Sequence, residues 1–154
     1  MAYSLAMHLH WATQQDFEWL LGRAEATRPW TIAPELAPDE VIGIVRQLPA
    51  NWLMVVEDEL VGIVGLKHED AERVEIGYGV ASSRQGRGFA SEAVAALLPV
   101  LESRGTSTVT AETSIDNPAS QRVLERNGFV RTGDRLDKED GRVVTWERSL
   151  SNQT

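Results

Sequence analysis

Apolar and polar residues follow two different periods along this chain, and the period separates predicted strands from predicted helices. Alternation and short runs of apolar or β-branched residues are typical of strands. They predict seven strands, at residues 5–13, 52–56, 60–66, 74–80, 107–113, 129–135 and 143–149. Turn residues at 57–59 and 137–141 predict that two pairs of these strands form hairpins.

Apolar residues at helical spacing, together with start and stop signals, predict four helices. The first follows a capping box, Thr13-Gln14-Gln15-Asp16, and the second begins after Pro38. The third is long and amphipathic, from Gly88 to Gly105, and contains Pro99, which should bend it or remove a hydrogen bond. A short fourth helix begins at Asn117-Pro118, where asparagine is a favourable N-cap.

The predicted order of elements is βααβββαβαββ, so strands occur both in runs and around a crossover helix. Runs of strands pair antiparallel, whereas a crossover helix joins parallel neighbours. We therefore expect an α/β fold with a mixed sheet, forming a single domain over residues 1–154.

Composition and charge narrow the classes of function. The chain has 15 Lys and Arg against 23 Asp and Glu, a net charge of −8. A nucleic-acid partner is therefore not expected, and a cationic partner such as an amine suits the charge better. The sequence has no cysteine, which excludes a disulfide, a thiolate metal site and a cysteine nucleophile. Its three histidines lack metal-ligand spacing, so no metal is predicted.

Nothing in the sequence predicts a membrane partner or export. The first residues lack a basic segment followed by a long apolar one, and no apolar run approaches the ~20 residues of a membrane span. We expect a cytoplasmic protein.

The sharpest chemical signal is Gln85-Gly86-Arg87-Gly88-Phe89-Ala90, between a predicted strand and the long helix. Glycines let the backbone approach a ligand closely, and the free N–H groups of a helix start bind phosphate. Other phosphate loops do not match, because Ser91 replaces the third glycine of a dinucleotide fingerprint and no Walker G-K-S/T follows. Taken alone, the segment is equally well explained as a turn that starts a helix.

Two ordered motifs make the sequence resemble the GNAT superfamily of N-acetyltransferases. The family's pyrophosphate motif, Q/R-x-x-G-x-G/A, is matched by Gln85, Gly88 and Ala90. The second signature follows after one helix and one strand, as Asn117-Pro118-Ala119-Ser120, Arg122-Val123-Leu124-Glu125 and Asn127-Gly128-Phe129. Residues 75–78 and 88–93 resemble the branch that includes the ribosomal-protein N-terminal acetyltransferases. The resemblance covers residues 5–150.

The resemblance implies a GNAT-like fold: a twisted, mostly antiparallel central sheet of about seven strands, flanked by about four helices. The fourth and fifth strands, 74–80 and 107–113, would splay apart, and acetyl-CoA would lie in the gap as co-substrate. The residues implied in binding it are Val80 for the pantetheine, Gln85, Gly86, Arg87, Gly88, Phe89 and Ala90 for the pyrophosphate, and Asn117. Gly77 and Gly79, on one face of the fourth strand, independently suggest the close approach of a ligand or another backbone.

The implied reaction is acetyl transfer to a primary amine by direct attack in a ternary complex. The amine must lose a proton, and the leaving thiolate needs an acid. Glu112 is a candidate base because some relatives carry a catalytic glutamate there, Glu75 is a second, and Glu139 is a weaker third. Many relatives carry a tyrosine acid where this chain has Leu124; the resembling branch suggests Ser120 instead.

The acceptor is expected to be a small-molecule amine or a peptide N-terminus, bound by residues 14–48 and the last hairpin. Trp30, and with it Trp11 and Trp52, could form an aromatic wall for it, although tryptophan is more often simply buried. Leu124 keeps open an alternative, a non-catalytic acyl-CoA binding module. Assembly as a homodimer also stays open.

Overall fold

The computed structural model describes residues 6–150, which form eight strands and four helices. The strands are β1 (Met7–Trp11), β2 (Thr31–Ile32), β3 (Ala50–Val56), β4 (Glu59–Asp70), β5 (Arg73–Val80), β6 (Thr108–Ser114), β7 (Val130–Asp137) and β8 (Gly141–Ser149). The helices are α1 (Gln14–Leu20), α2 (Asp39–Val45), α3 (Phe89–Ser103) and α4 (Pro118–Arg126). Every predicted helix and strand is present, although residue 5 of the first predicted strand lies outside the described residues.

The eighth strand, β2, lies in a segment that the sequence predicts as a loop. Thr31 N–H donates to Asp58 O and Ala33 N–H donates to Leu60 O, each at 2.9 Å, so β2 pairs parallel with the start of β4. A strand of two residues is too short to show an alternating pattern. The sequence therefore predicts seven strands, whereas residues 6–150 form eight.

The sheet has the order β1-β3-β4-β5-β6-β8-β7, with β2 paired to β4. All neighbours are antiparallel except the β5–β6 and β2–β4 pairs. This arrangement confirms the predicted mixed sheet. The parallel β5–β6 pair is the one joined through the crossover helix α3.

Strands β5 and β6 separate halfway along their length. They pair only from Arg73 opposite Thr108 to Ile76 opposite Ala111. Beyond that point β5 continues to pair with β4, and β6 continues to pair with β8. The expected splay of these two strands is therefore confirmed, and a gap opens from Gly77 onward.

The two faces of the sheet are covered by different helices. Helices α3 and α4 cover the face that carries the larger core, which includes Trp52, Met54, Ile76, Val109, Leu124 and Trp146. The N-terminal elements cover the other face, where Leu53, Val55 and Leu60 form a smaller cluster. Among residues 6–150 no helix is long and apolar enough to cross a membrane.

Candidate functional site

The loop before α3 has a backbone conformation that favours glycine. Gly86 and Gly88 have φ angles of 81° and 82°, in the left-handed region, and Gly88 is the N-cap of α3. The first helical hydrogen bond runs from Glu92 N–H to Gly88 O at 3.0 Å, so the amides of residues 89–91 have no partner within the helix. With the positive end of the helix dipole behind them, these amides favour an anion.

A groove of about 490 Å³ lies beside this loop, between the starts of α3 and α4. Arg84, Arg122 and Arg126 line it, and no acidic residue between positions 6 and 150 does, although the chain is acidic as a whole. Glu59 binds Arg84 through hydrogen bonds of 2.7 and 2.9 Å, whereas Arg122 and Arg126 have no ion pair with another described residue. The groove therefore combines positive charge with exposed amides, which suits a ligand carrying phosphates.

Seven of the eight residues predicted to bind the cofactor line this groove: Val80, Gln85, Gly86, Gly88, Phe89, Ala90 and Asn117. The exception is Arg87, which lines a separate cavity together with Glu57 and Glu59. The Phe89 side chain is buried in the core, so it can offer only its backbone to a ligand. The Gln85 side chain donates to Val80 O at 3.2 Å and ties the loop to the end of β5.

Ser120 is held at the start of α4 by the predicted N-cap. Asn117 Oδ1 accepts a hydrogen bond from Ser120 N–H at 3.1 Å. On the facing strand β5, the Tyr78 hydroxyl lies 2.9 Å from Ser120 Oγ and 3.1 Å from Ser120 O. Burial raises the pKa of Tyr78, although its hydrogen bond with Ser120 acts in the opposite direction. The phenol is therefore protonated at neutral pH, and two hydroxyl groups meet across the gap.

A second cavity, of about 340 Å³, lies under α2 on the opposite face of the sheet. Its floor is formed by side-by-side positions of β3, β4 and β5: Asn51, Ile63, Gly65, Lys67, Gly77 and Gly79. Its roof is formed by apolar residues of α2 and the adjoining segments: Leu36, Val41, Ile44, Val45 and Leu48. The cavity is therefore largely aliphatic.

Two floor glycines make room for neighbouring side chains. A Cβ on Gly65 would lie 2.3 Å from Asn51 Oδ1, and a Cβ on Gly77 would lie 2.7 Å from Lys67 Cδ. Gly79 differs, because no atom lies within 4 Å of the position its Cβ would take. The close approach predicted at Gly77 is thus made by Lys67, and open space remains over Gly79.

The groove and the cavity meet in the gap between β5 and β6. Tyr78, Gly79 and Ser120 line both spaces. A ligand in the groove and another in the cavity, although on opposite faces of the sheet, can therefore come into contact beside the Tyr78–Ser120 pair.

Of the candidate bases, Glu112 lies at the cavity and is already bound to an arginine. Arg135 donates to its two carboxylate oxygens at 2.6 and 2.7 Å. These hydrogen bonds lower the pKa of Glu112, although partial burial acts in the opposite direction. Glu112 therefore stays negatively charged and is a weak base at neutral pH.

The other candidate carboxylates do not line either space. Glu75 Oε2 lies 3.7 Å from Lys67 Nζ, on the same face of the sheet as the cavity floor. Glu139 lies in the β7–β8 turn, where its backbone N–H donates to Asp137 at 3.0 Å. The structure therefore brings Ser120 and Glu112 together at one site and leaves Glu75 and Glu139 outside it.

The tryptophans do not form an aromatic wall at the cavity. Trp30 packs against His10 with the rings tilted and their centroids 4.7 Å apart, and the Arg28 guanidinium lies 5.1 Å from the centroid of the Trp30 ring. Trp52 is buried in the core, and Trp11 packs edge-on against it. None of the three tryptophans lines the cavity, because α2 covers the sheet there with aliphatic side chains.

The comparison with known families agrees with this geometry. Residues 3–130 match the family described as "Acetyltransferase (GNAT) domain". The chain belongs to the GNAT acetyltransferase family. Leu124, where many GNAT members carry a tyrosine, is fully buried and contributes no polar group to the site.

Individual GNAT relatives are similar over part of the sequence and over the whole fold. The chain is 33% identical over 85 residues to the ribosomal-protein-serine acetyltransferase of Escherichia coli strain K12, over 53% of this chain and 48% of that protein. It spans about half the length of the curated relatives it matches. Its fold resembles a structure of RimL, a ribosomal L7/L12 alpha-N-protein acetyltransferase in complex with coenzyme A, with a TM-score of 0.72, 20% identity and 97% of both chains covered.

A spermidine N-acetyltransferase chimera, SpeG from Vibrio cholerae and hSSAT, is also similar, with a TM-score of 0.70 and 15% identity over 93% of this chain and 95% of that one. At such identities the likeness establishes the fold.

Three residues at the GNAT site escape prediction from the sequence. Arg122 and Arg126 are one helical turn apart on α4 and line the groove, a spacing that the sequence displays but that gains meaning only opposite the glycine loop. Tyr78 belongs to a segment that resembles the family. Nothing in the sequence predicts that its hydroxyl contacts Ser120, which lies 42 residues later in the chain.

Proposed function

We propose that the protein transfers the acetyl group of acetyl-CoA to a primary amine while both substrates are bound. The observation that carries this proposal is that a positively charged groove and an apolar cavity, on opposite faces of the sheet, share Tyr78, Gly79 and Ser120. Direct attack requires the reacting atoms to lie about 3–3.5 Å apart. Two binding spaces that meet at one point satisfy this requirement.

The groove has the features that acetyl-CoA needs. The amides of residues 89–91 and the unpaired Arg122 and Arg126 suit its phosphates. Gly88 leaves room for them, since no atom lies within 4 Å of the position of a Cβ there. Beyond Ile76, β5 has no strand partner on the β6 side, so its backbone there is available to the pantetheine amides.

The Tyr78–Ser120 pair is suited to the proton transfer. Acetyl-CoA supplies a thioester, whose acetyl carbon accepts the amine and whose sulfur leaves. The overall reaction moves one proton from a neutral amine nitrogen to that sulfur. Ser120 Oγ can donate its proton to the sulfur and take up, directly or through water, the proton that the amine nitrogen releases, so the serine is regenerated. The protonated Tyr78 hydroxyl, 2.9 Å away, can stabilise the negative charge that develops on Ser120 Oγ in between.

Glu112 is suited to orienting the amine. Its carboxylate lines the cavity and stays charged because Arg135 lowers its pKa. Glu112→Gln should therefore raise the KM of the amine more than it lowers kcat. A kcat loss of about 10²–10⁴ would instead assign it the role of general base, as it would for Glu75→Gln. The measurement is the kinetics of both variants at saturating acetyl-CoA.

Two further properties belong to the proposal. A single domain is supported by the one continuous sheet that runs through residues 7–149. A cytoplasmic location rests on the sequence alone, and the homodimer stays open.

The decisive experiment combines calorimetric titration of CoA with thiol release from acetyl-CoA in the presence of amines and peptides. We expect CoA to bind and thiol release to depend on the amine. Binding without turnover on any amine would instead support the acyl-CoA binding module that Leu124 keeps open. Failure to bind CoA would contradict both functions.

A further inference from the structure

The cavity under α2 is close to neutral in charge. Lys67 and Glu112 are its only charged lining residues within the described part of the chain. Arg135 binds Glu112 at 2.6 and 2.7 Å and also binds Asp137 at 3.2 Å, so the carboxylate that lines the cavity already has a guanidinium partner. The cavity therefore holds no surplus of negative charge for a ligand with several ammonium groups.

The roof of the cavity exposes apolar surface that the chain leaves uncovered. Ile44 is 65% exposed and Val41 is 45% exposed, and both line the cavity from one face of α2. Large apolar side chains exposed beside a gap that leads to Ser120 mark a surface that a ligand covers.

Lys67 adds repulsion for a polycation. Lys67 lines the cavity, and its stem lies over Gly77. Its ammonium group lies 3.7 Å from Glu75, which does not line the cavity. A second or third positive charge on a ligand would therefore meet Lys67, and among residues 6–150 Glu112 is the only carboxylate that lines the cavity.

We infer that the acceptor is a primary monoamine on an apolar body, because the cavity that leads to the Tyr78–Ser120 pair combines aliphatic walls with one matched carboxylate. The inference rests on the proposed acetyl transfer and names its substrate class. Two kinds of molecule carry a primary amine on an apolar body: a free apolar amine, and a peptide whose first residue is apolar. Spermidine and aminoglycosides are excluded as preferred acceptors.

The test compares kcat/KM for four acceptors of the full chain with saturating acetyl-CoA. They are 2-phenylethylamine, a hexapeptide that begins with leucine, spermidine, and kanamycin as an aminoglycoside. We expect one of the first two to exceed both polycations by at least about tenfold, a size that one buried apolar group supplies. Preference for the free amine or for the peptide identifies which of the two kinds the acceptor is.

A pair of matched variants tests whether the cavity sets this preference. Ile44→Asp places a carboxylate in the roof, and Val130→Asp places one at a site of equal exposure, 66%, that does not line the cavity. We expect Ile44→Asp to shift the ratio of kcat/KM between 2-phenylethylamine and spermidine by at least about tenfold toward spermidine. Val130→Asp should leave the ratio within about twofold. Val41→Asp replaces Ile44→Asp if that variant does not fold.

The outcomes separate this inference from the proposed function. If wild type prefers spermidine or kanamycin, acetyl transfer stands and the apolar monoamine is overturned. Equal ratios for Ile44→Asp and Val130→Asp would overturn the cavity as the determinant. If CoA binds but no acceptor is used, the proposed function fails and the inference fails with it.

Discussion

The groove and the cavity are built in different ways. The groove is formed by one short loop, the start of α3 and residues along α4, and it combines backbone amides with the side chains of Arg84, Arg122 and Arg126. The cavity is made from side chains that α2, β3, β4, β5 and β6 contribute separately. Backbone amides held by left-handed glycines suit any ligand with phosphates. The side chains that line a cavity can instead be replaced, and each replacement changes which ligand the cavity suits. Under the proposed function, this difference would let the protein bind the acetyl donor through the loop amides and arginines and select the acceptor through the side chains of the cavity.

The largest expected effect lies where the two regions meet. Ser120→Ala should lower kcat by about 10²–10⁴, because a general acid contributes that much. CoA affinity should change little, since the groove keeps its amides and arginines. Steady-state kinetics and calorimetry measure the two quantities.

Ser103→Ala, at the far end of α3, is the matched control and should leave kcat unchanged. A loss below tenfold for Ser120→Ala would reduce Ser120 to an ordinary polar residue of the first turn of α4, and the proton would then leave through water.

A negative charge placed in the groove should weaken CoA binding and leave the cavity unchanged. Ala90 lies in the first turn of α3 and lines the groove, so Ala90→Asp sets a carboxylate beside the phosphates without straining the helix. We expect a roughly hundredfold weaker CoA affinity by calorimetry, about 2–3 kcal/mol of repulsion. Ala96→Asp, exposed on the same helix, is the control. Equal CoA affinity in the two variants would place the donor elsewhere.

The same contrast explains how much of the site the sequence predicts. Residues 85–90 are contiguous and their chemistry is that of glycine and a helix start, so five of these six predicted residues line the groove. Arg87 does not line the groove. It lines a separate cavity with Glu57 and Glu59, which come from a distant segment of the chain. The cavity under α2 depends on contacts between distant segments throughout. Asn51 comes close to Gly65, and Arg135 binds Glu112, only after the strands have paired.

Fold prediction shows the same limit. The capping box at Thr13 and the N-cap at Asn117 are local signals, and the structure confirms both. Strand β2 is not predicted, because its two residues are too few to show a pattern and they form a strand only by pairing with β4. Residue type alone leaves open whether the tryptophans line the acceptor site or are buried, and the structure buries Trp52 and packs Trp30 against His10.

Acid should weaken the elements on the cavity side of the sheet through Asp16. Burial alone would raise the pKa of this carboxylate, but hydrogen bonds from Arg28, Thr27 and Thr13 N–H outweigh it and lower the pKa to about 2. Because the pKa is lower in the folded chain than in the unfolded one, the stabilisation is complete above about pH 4 and is lost as the pH falls toward 2. Its size is about 2 kcal/mol in the free energy of unfolding.

Urea unfolding between pH 5 and 2 measures this effect. Asp16→Asn should be less stable than wild type at pH 5, and the difference should shrink as the pH falls. Asp39→Asn, at an exposed position of α2, should show no such convergence. A constant difference across the range would assign the destabilisation to packing. CoA affinity at neutral pH should be the same for Asp16→Asn and wild type.

The smallest expected effect concerns Tyr78, which acts through Ser120. Tyr78→Phe keeps the ring that packs against the core and removes the hydroxyl that lies 2.9 Å from Ser120 Oγ. Loss of one hydrogen bond costs about 0.5–1.5 kcal/mol, so kcat should fall roughly threefold to tenfold while CoA affinity and the KM of the amine stay the same. A purely structural role would change affinity or stability instead. The double variant decides between them: in the Ser120→Ala background, Tyr78→Phe should lower kcat no further, because the hydroxyl of residue 120 through which it acts is already absent, although the backbone O of that residue remains. Equal effects of Tyr78→Phe in both backgrounds would show that the phenol acts independently of Ser120.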